Sequence, residues 1–447
     1  MLKTVQEWGQ FCFAACDEYL RTGLVCLPPS WSLARCADPY PFYARLRAHS
    51  PVHRSSLAGG VVVSRAADIQ QVLKDDRFTC DATASKQWKR LPPDKGVRAL
   101  ILEDGESHRQ HRSCLAAILN SQRSLLTRLV ESCVERGVHH LVADRAIDLM
   151  EDFVAPMIRE LTLSILGIPA AHQAFIRPIL RYGLAFAFHH GDRLIRFPRV
   201  MSREIAETRQ LRRELQGALD NLFPAIERKE GSGIVPELLK RVDGGELTGA
   251  EAFMLTEGVL SALFEPLSFS LGNTLALAGR YPEAFLSTAD SEGQRSAVAR
   301  ESLRFEPAVQ AIFRYARDDG EIGSFPVARG ENIVLLLGSA NRDRDLFRNP
   351  DRFDPKRSEH MNFAFGSGPH ACLGAGLTQS LLESALRLLR ERFDRIEIVG
   401  PSQWQSVLPL RGLGRLPVVF REERRVSRSI KGEGSSSRMN ERCTEAL

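Results

Sequence analysis

The sequence predicts a single large, mainly α-helical domain with small β-sheets. Three observations carry that expectation. Leu, Ile and Val recur three and four apart through most of residues 106–230, the period of buried helix faces. A second helical stretch runs from about Gly249 to Arg280 behind Thr248-Gly-Ala-Glu251, a capping box. Strand signals are short by comparison, at Gly60–Ser64, Ile333–Leu337 and Val418–Phe420.

In chain order, residues 1–35 form a lead-in with a helical stretch that ends at Pro28 and Pro29. Gly60–Ser64 is the first strand, and Ala67 to Leu73 the helix after it. Gly244 and Gly245 separate the helical region from the Gly249–Arg280 helix, unusually long for a globular protein. Another helix covers about Gln294 to Phe305 and stops near Pro307; a last one runs from near Gly374 to Arg392. No repeat or low-complexity linker divides residues 36–420, so they are expected to form one domain. Residues 421–447 carry seven basic and five acidic residues and a Ser435–Ser437 run, and are expected to be a disordered tail.

Composition narrows the class. The 447 residues are 43% hydrophobic, ample for a core, and 60 Lys+Arg against 55 Asp+Glu leave a net charge of only +5. That balance does not point to nucleic acid or an anionic membrane. No run approaches the roughly 18 consecutive apolar residues of a membrane span, and the N-terminus lacks the pattern of a signal peptide. A cytoplasmic protein is expected. Its nine cysteines are odd in number and contain no Cys-x-x-Cys pair, so most should be free thiols.

Cys372 stands apart, in Phe363-Ala-Phe-Gly-Ser-Gly-Pro-His-Ala-Cys-Leu-Gly-Ala-Gly376. The glycines permit positive φ and close backbone approach, and a helix begins directly afterwards. Unpaired N–H groups at that helix start would stabilise a thiolate, which is a good axial ligand for haem iron. A buried structural cysteine is the bland alternative. Against it stand six residue types at fixed offsets: Phe365, Gly366, Gly368, His370, Cys372 and Gly374. Here the chain resembles the cytochrome P450 family, whose haem-ligand signature is Phe-Gly-x-Gly-x-His-x-Cys-x-Gly; every fixed position matches.

The resemblance implies the fold of that family, haem b, and Cys372 as the axial ligand of its iron. It extends to Glu301-Ser-Leu-Arg304, whose Glu and Arg share one helix face. By resemblance Arg352, in Asn349-Pro-Asp-Arg-Phe353, joins Glu301 and Arg304 in a buried structural network. Haem carboxylates need cationic or hydrogen-bonding partners. His108, Arg112, Arg314 and His370 match the family's contacts, with Phe365, Gly366 and Gly374 shaping the cofactor loop. Arg314 alone reads equally well as a solvated surface charge. His111, between His108 and Arg112, faces elsewhere on the helix. Asp38 to Tyr43, Asn341 to Phe353 and Gly412 to Val418 resemble further segments of bacterial members, so the likeness covers about residues 38–420.

The long helix departs from the pattern. The family's distal Ala-Gly-x-Asp/Glu-Thr becomes Ala262-Leu263-Phe264-Glu265-Pro266. Glu265 keeps the acid, implied to relay protons; a structural acid paired with a core base is its alternative. Pro266 replaces the alcohol, should kink the helix and frees the Ala262 carbonyl from its N–H partner. Leu263, Phe264 and Leu267 suggest a bulky apolar pocket wall, to which the resemblance to the family's layout adds Ala308 to Ile312 and Leu184–Phe188.

The resemblance implies a monooxygenase that inserts one oxygen atom from O2 into an apolar small molecule in specialised metabolism, terpenoid, polyketide or aromatic. No flavin or ferredoxin module is present in the sequence, so a ferredoxin and a ferredoxin reductase are expected as separate chains. No nucleic acid and no membrane span are expected, and the chain is expected to be a monomer. Pro266 keeps two other readings open. One is a peroxide-using, coupling or rearranging haem-thiolate enzyme. The other is a catalytically silent haem-binding recruitment protein.

Overall fold

The computed structural model describes residues 37–55, 58–86, 100–168, 202–226, 231–407 and 409–422. The expected lead-in over 1–35 and the tail beyond 422 lie outside them, as does Leu184–Phe188. Among the described residues, helix α1 (Tyr40–His49) precedes strands β1 (Val52–Ser55) and β2 (Gly60–Val63), helix α2 (Ala66–Lys74) and strand β3 (Phe78–Thr79). Helices α3 (Gly105–Ser121) and α4 (Arg123–His139) lead to β4 (Ala146–Asp148), a π-helical turn (Leu149–Val154) and α5 (Ala155–Leu166). Then come α6 (Ser202–Ala225), α7 (Ile234–Asp243), α8 (Gly249–Arg280), α9 (Pro282–Ser287) and α10 (Glu292–Phe305). Strands β5 (Ile312–Ala316), β6 (Gly320–Ile322), β7 (Phe325–Val327) and β8 (Asn332–Leu335) precede α11 (Leu337–Ala340) and α12 (Ala375–Arg392). Strands β9 (Arg395–Ile398), β10 (Gln403–Val407), β11 (Leu410–Arg415) and β12 (Pro417–Arg421) close the described chain.

The expected mainly helical domain with small sheets is what the structure contains. The largest sheet has five strands in the order β1-β2-β8-β5-β3, with β2 and β8 parallel (Val61 opposite Ile333). Gly60 is required at the start of β2, because a Cβ there would run into the backbone of Asn332. A three-stranded sheet β4-β12-β9 and two hairpins, β6-β7 and β10-β11, complete the β structure. The strand expected over Ile333–Leu337 ends at Leu335, because Leu337 already starts α11. Arg421, assigned from sequence to the tail, closes β12 and donates to Glu397 at 2.6 Å.

Helix α8 is the axis of the molecule. It begins with the expected capping box: Glu251 N donates to Thr248 Oγ1 at 3.2 Å, and Thr248 N to Glu251 Oε2 at 2.7 Å. By length and composition alone it could cross a membrane, but 67% of its apolar window is buried among the other helices, as in a core helix. Leu271, Leu275 and Leu277 join side chains of α4, α5, α10 and α12 in the main core cluster. Pro266 does not interrupt it; the helix is continuous to Arg280.

The β10-β11 hairpin docks on the second half of α8. Asn273 Nδ2 donates to the carbonyl of Arg411, on β11, at 3.5 Å, and an added Cβ at Gly412 would overlap the Phe269 ring. Backbone hydrogen bonds pin the segment after α10. Arg411 N donates to Ala308 O at 2.8 Å, Gln310 N to Pro409 O at 2.8 Å, and Gly338 N to Gln310 O at 3.1 Å.

Candidate active site

Residues 363–376 form a tight loop running into α12. Gly366 (φ 63°) and Gly368 (φ 77°) take left-handed conformations, and a Cβ at Gly368 would crowd the Leu73 carbonyl. Gly374, at φ −84°, needs no such freedom. Cys372 N donates to Phe365 O at 3.0 Å, folding the loop back so that the sulfur is held over the start of α12. The residue is exposed, unlike Cys80 and Cys133. Surrounding protein pushes the thiol up, while backbone N–H groups of Gly374 and Ala375 and the Arg112 guanidinium pull the other way. The helix start supplies the N–H groups predicted from sequence, but desolvation outweighs them.

The four residues matched to haem carboxylates converge from three parts of the chain. On α3, His108 is buried and stacks on His370 with ring centroids 3.9 Å apart, and Arg112 donates to Ala371 O at 2.6 Å. Burial and the neighbouring His370 push His108 down to about 4. His370 Nε2 lies 2.8 Å from Asp104 Oδ1. Arg314, on β5, is buried rather than solvated and acts electrostatically on Cys80, whose sulfur lies within 4.8 Å of donor atoms of Asp104 and His370. Among the described residues it makes one hydrogen bond, to Phe313 O, and no ion pair. A buried guanidinium without an anion is costly. This donor set therefore fits a dianionic cofactor edge. His111 faces the other way, as expected, 2.8 Å from Glu103 Oε2 and 3.3 Å from Glu251 Oε1.

On α8, Ala262 is exposed, and Gly258 and Pro266, one turn to either side, are partly so; every residue from Leu267 to Leu275 is buried. This accessible stripe is small and apolar. The bulky wall expected from sequence is corrected here. Leu263 and Leu267 are buried in the main core cluster, because they follow Ala262 and Pro266 by one residue and so lie about 100° round the helix. Phe264 is partly buried against the same cluster. Glu265 is 4% exposed, and neither carboxyl oxygen has a hydrogen-bond partner among the described residues. Desolvation pushes it up to about 8. The core base that would make it a structural ion pair is absent among the described residues.

A second correction concerns the buried network. Arg304 donates to both oxygens of Glu301, at 2.7 and 2.8 Å. The third guanidinium belongs to Arg357, whose Nε donates to Glu301 Oε2 at 2.8 Å. The side chain of Arg352 is exposed; only its carbonyl takes part, accepting from Arg304 at 3.2 Å and Arg357 at 3.1 Å. Asn349, at φ 47°, starts a turn closed by Arg352 N to Asn349 O, which presents the Arg352 side chain to solvent.

Asp104 is the residue that sequence reading missed. It precedes α3 in the manner of a helix cap, but its side chain makes no cap bond. It accepts instead from Thr79 Oγ1, from Cys80 N at 2.7 Å, and from His370. Burial alone would raise its carboxyl, yet the bonds from His370, Thr79 and Cys80 hold it well below the usual carboxylate range.

Comparison with known proteins decides the lineage. The family model described as Cytochrome P450 matches residues 296–406, and a relative named cytochrome P450 monooxygenase PikC, from Streptomyces venezuelae, is 28% identical over 88% of this chain and 93% of its own. The chain belongs to the cytochrome P450 family. This P450 also matches the cyclomarin C epoxidase CymV of Salinispora arenicola, 26% identical over 88% of this chain and 98% of the relative. Among solved structures, ligand-free CYP164A2 of Mycobacterium smegmatis superposes with a TM-score of 0.78 at 27% identity, covering 87% of this chain and 97% of that one. The family implies a haem-thiolate cofactor and redox partners, and the chain is a P450 monooxygenase.

Proposed function

We propose that this P450 inserts one oxygen atom from O2 into an apolar small molecule of specialised metabolism, of terpenoid, polyketide or aromatic type. The carrying observation is the Gly258–Ala262–Pro266 face, an accessible apolar stripe on a helix that is fully buried from Leu267 to Leu275. Relatives named for cyclomarin C epoxidation and pentalenic acid synthesis support the metabolic setting. Cys372 would ligate the iron of haem b, and coordination would deprotonate its thiol. His108, Arg112, Arg314 and His370 would hold the haem carboxylates, with Phe365, Gly366 and Gly374 shaping the loop. Bound there, haem supplies the activation of dioxygen.

The remaining chemistry falls to side chains. Monooxygenation consumes two electrons and two protons and releases one oxygen atom as water. Electrons would come from a ferredoxin and its reductase. Glu265, neutral at pH 7, holds a proton beside the distal face. Pro266 offers no hydroxyl to pass it on and no N–H to the Ala262 carbonyl. That carbonyl can accept from a water or a substrate hydroxyl, which would take the alcohol's place. The burial of α8 suits a core helix rather than a membrane span, and the proposed enzyme is a cytoplasmic monomer.

The test is the carbon-monoxide difference spectrum of the dithionite-reduced protein beside Cys372→Ser. A strongly red-shifted Soret band, lost in the variant, is expected; an unshifted band in the parent would overturn thiolate ligation. Pro266 motivates the second reading, a peroxide-using or coupling enzyme. Turnover with peroxide alone, as fast as with the reductase system, would favour it.

A further inference from the structure

Asp104, Cys80 and His370 lie within metal-ligand reach of one another. They do not make a metal site, because both Asp104 oxygens are already engaged and burial pushes the Cys80 thiol up to about 12. The same engagement has another use. We propose that Asp104 is a positioning residue that acts through His370 to set how firmly the cofactor is held and at what potential it is reduced. This inference rests on the reading of His108 and His370 as haem-carboxylate contacts.

Geometry carries it. Asp104 stands at the cap position of α3, the helix that bears His108 and Arg112, yet gives up the cap bond that a helix start favours. Its Oδ1 goes instead to His370, 266 residues away in sequence, while Oδ2 is anchored by Thr79 Oγ1 and the Cys80 N–H. Of the other charged groups, Arg317 comes no closer to it than 3.9 Å. A carboxylate so fixed leaves the His370 ring little freedom to turn. It takes up Nε2, leaving Nδ1 as the ring's remaining polar atom, and the His108 ring stacked at 26° fixes the plane. Asp104 thus joins strand β3, the start of α3 and the cysteine loop through one side chain.

The experiment follows haem transfer from the loaded enzyme to apomyoglobin, together with the haem reduction potential, in a double-mutant cycle. Asp104→Asn should speed haem transfer by about 10-fold or more and displace the potential. In a His370→Gln background the same change should add less than about twofold and leave the potential unmoved. Thr79→Val, which removes one of the two anchors on Oδ2 and leaves the Cys80 N–H and the His370 contact in place, should give a smaller effect than Asp104→Asn. Equal acceleration in both backgrounds, or a Thr79→Val effect as large as that of Asp104→Asn, would overturn the proposal. If Asp104→Asn does not fold, Asp104→Ser, too short to reach His370, is put through the same cycle. The carbon-monoxide spectrum of the parent reports separately on the underlying haem-thiolate reading.

Discussion

Arg357 Nε donates to Glu301 Oε2 at 2.8 Å, tying the loop before the cysteine segment to helix α10 across 56 residues of chain. Glu301 is thereby shared between two guanidiniums, both buried, and its other oxygen also receives the Asp354 N–H at 2.8 Å. Removing Arg357 leaves Glu301 paired with Arg304 but loses a charge-assisted hydrogen bond. Arg357→Ala should cost about 1.5–3 kcal/mol, whereas Arg352→Ala, which deletes an exposed side chain and keeps the carbonyl, should stay within about 0.5 kcal/mol. Urea unfolding of the two variants separates them, and equal losses would contradict the assignment to Arg357.

Glu265 gives stability a pH signature. Its folded carboxyl sits near 8, above its unfolded value of 4.5, so between those limits the native state binds a proton the unfolded chain has released. This contribution is fully present below pH 4.5 and is lost as pH rises towards 8, at a limiting slope of about 1.4 kcal/mol per unit. Glu265→Gln should remove it. The variant's advantage over the parent in thermal stability should grow from pH 5 to pH 8 and then level; a constant difference would contradict the burial.

Gly412 and Phe269 fit only as a pair. Gly412→Ala should destabilise by about 1–3 kcal/mol through overlap of the new methyl with the ring. Adding Phe269→Leu should recover part of that loss. Additive losses in the double variant, measured by urea unfolding, would mean that the two sites do not touch.

Pro266 stands inside a helix at the cost of one backbone hydrogen bond. Pro266→Ala should therefore raise stability, by up to about 3 kcal/mol. Pro266→Thr also restores a hydroxyl, and product formed per electron pair consumed reads its effect. Unchanged coupling would show that the proline is not essential to proton delivery.

The legible parts of this protein are those whose cause is local. The α8 bounds follow from the Thr248–Glu251 box and a long apolar stretch; the cysteine loop follows from glycines at fixed offsets. The errors arise where tertiary geometry chooses between equals. Arg352 and Arg357 both lie within reach of Glu301 by sequence, and the turn at Asn349 selects the latter. Asp104 carries the local pattern of a helix cap, so nothing in its neighbours reveals a bond to His370. Leu263 and Leu267 are adjacent to the open face in sequence, and the helix phase alone puts them in the core.

The backbone pinning of residues 308–310 has a consequence for how this enzyme can change. Ala308 and Gln310 are held by main-chain hydrogen bonds to Arg411, Pro409 and Gly338, none of which depends on the side chains that Ala308, Val309 or Ile312 present. Val309 and Ile312 are only partly buried. The segment is a rigid rail with exchangeable fittings. If this segment lines the pocket, as the family's layout implies, substitutions at these two positions would reshape it without moving the rail, which makes them the economical starting points for redirecting selectivity by directed evolution.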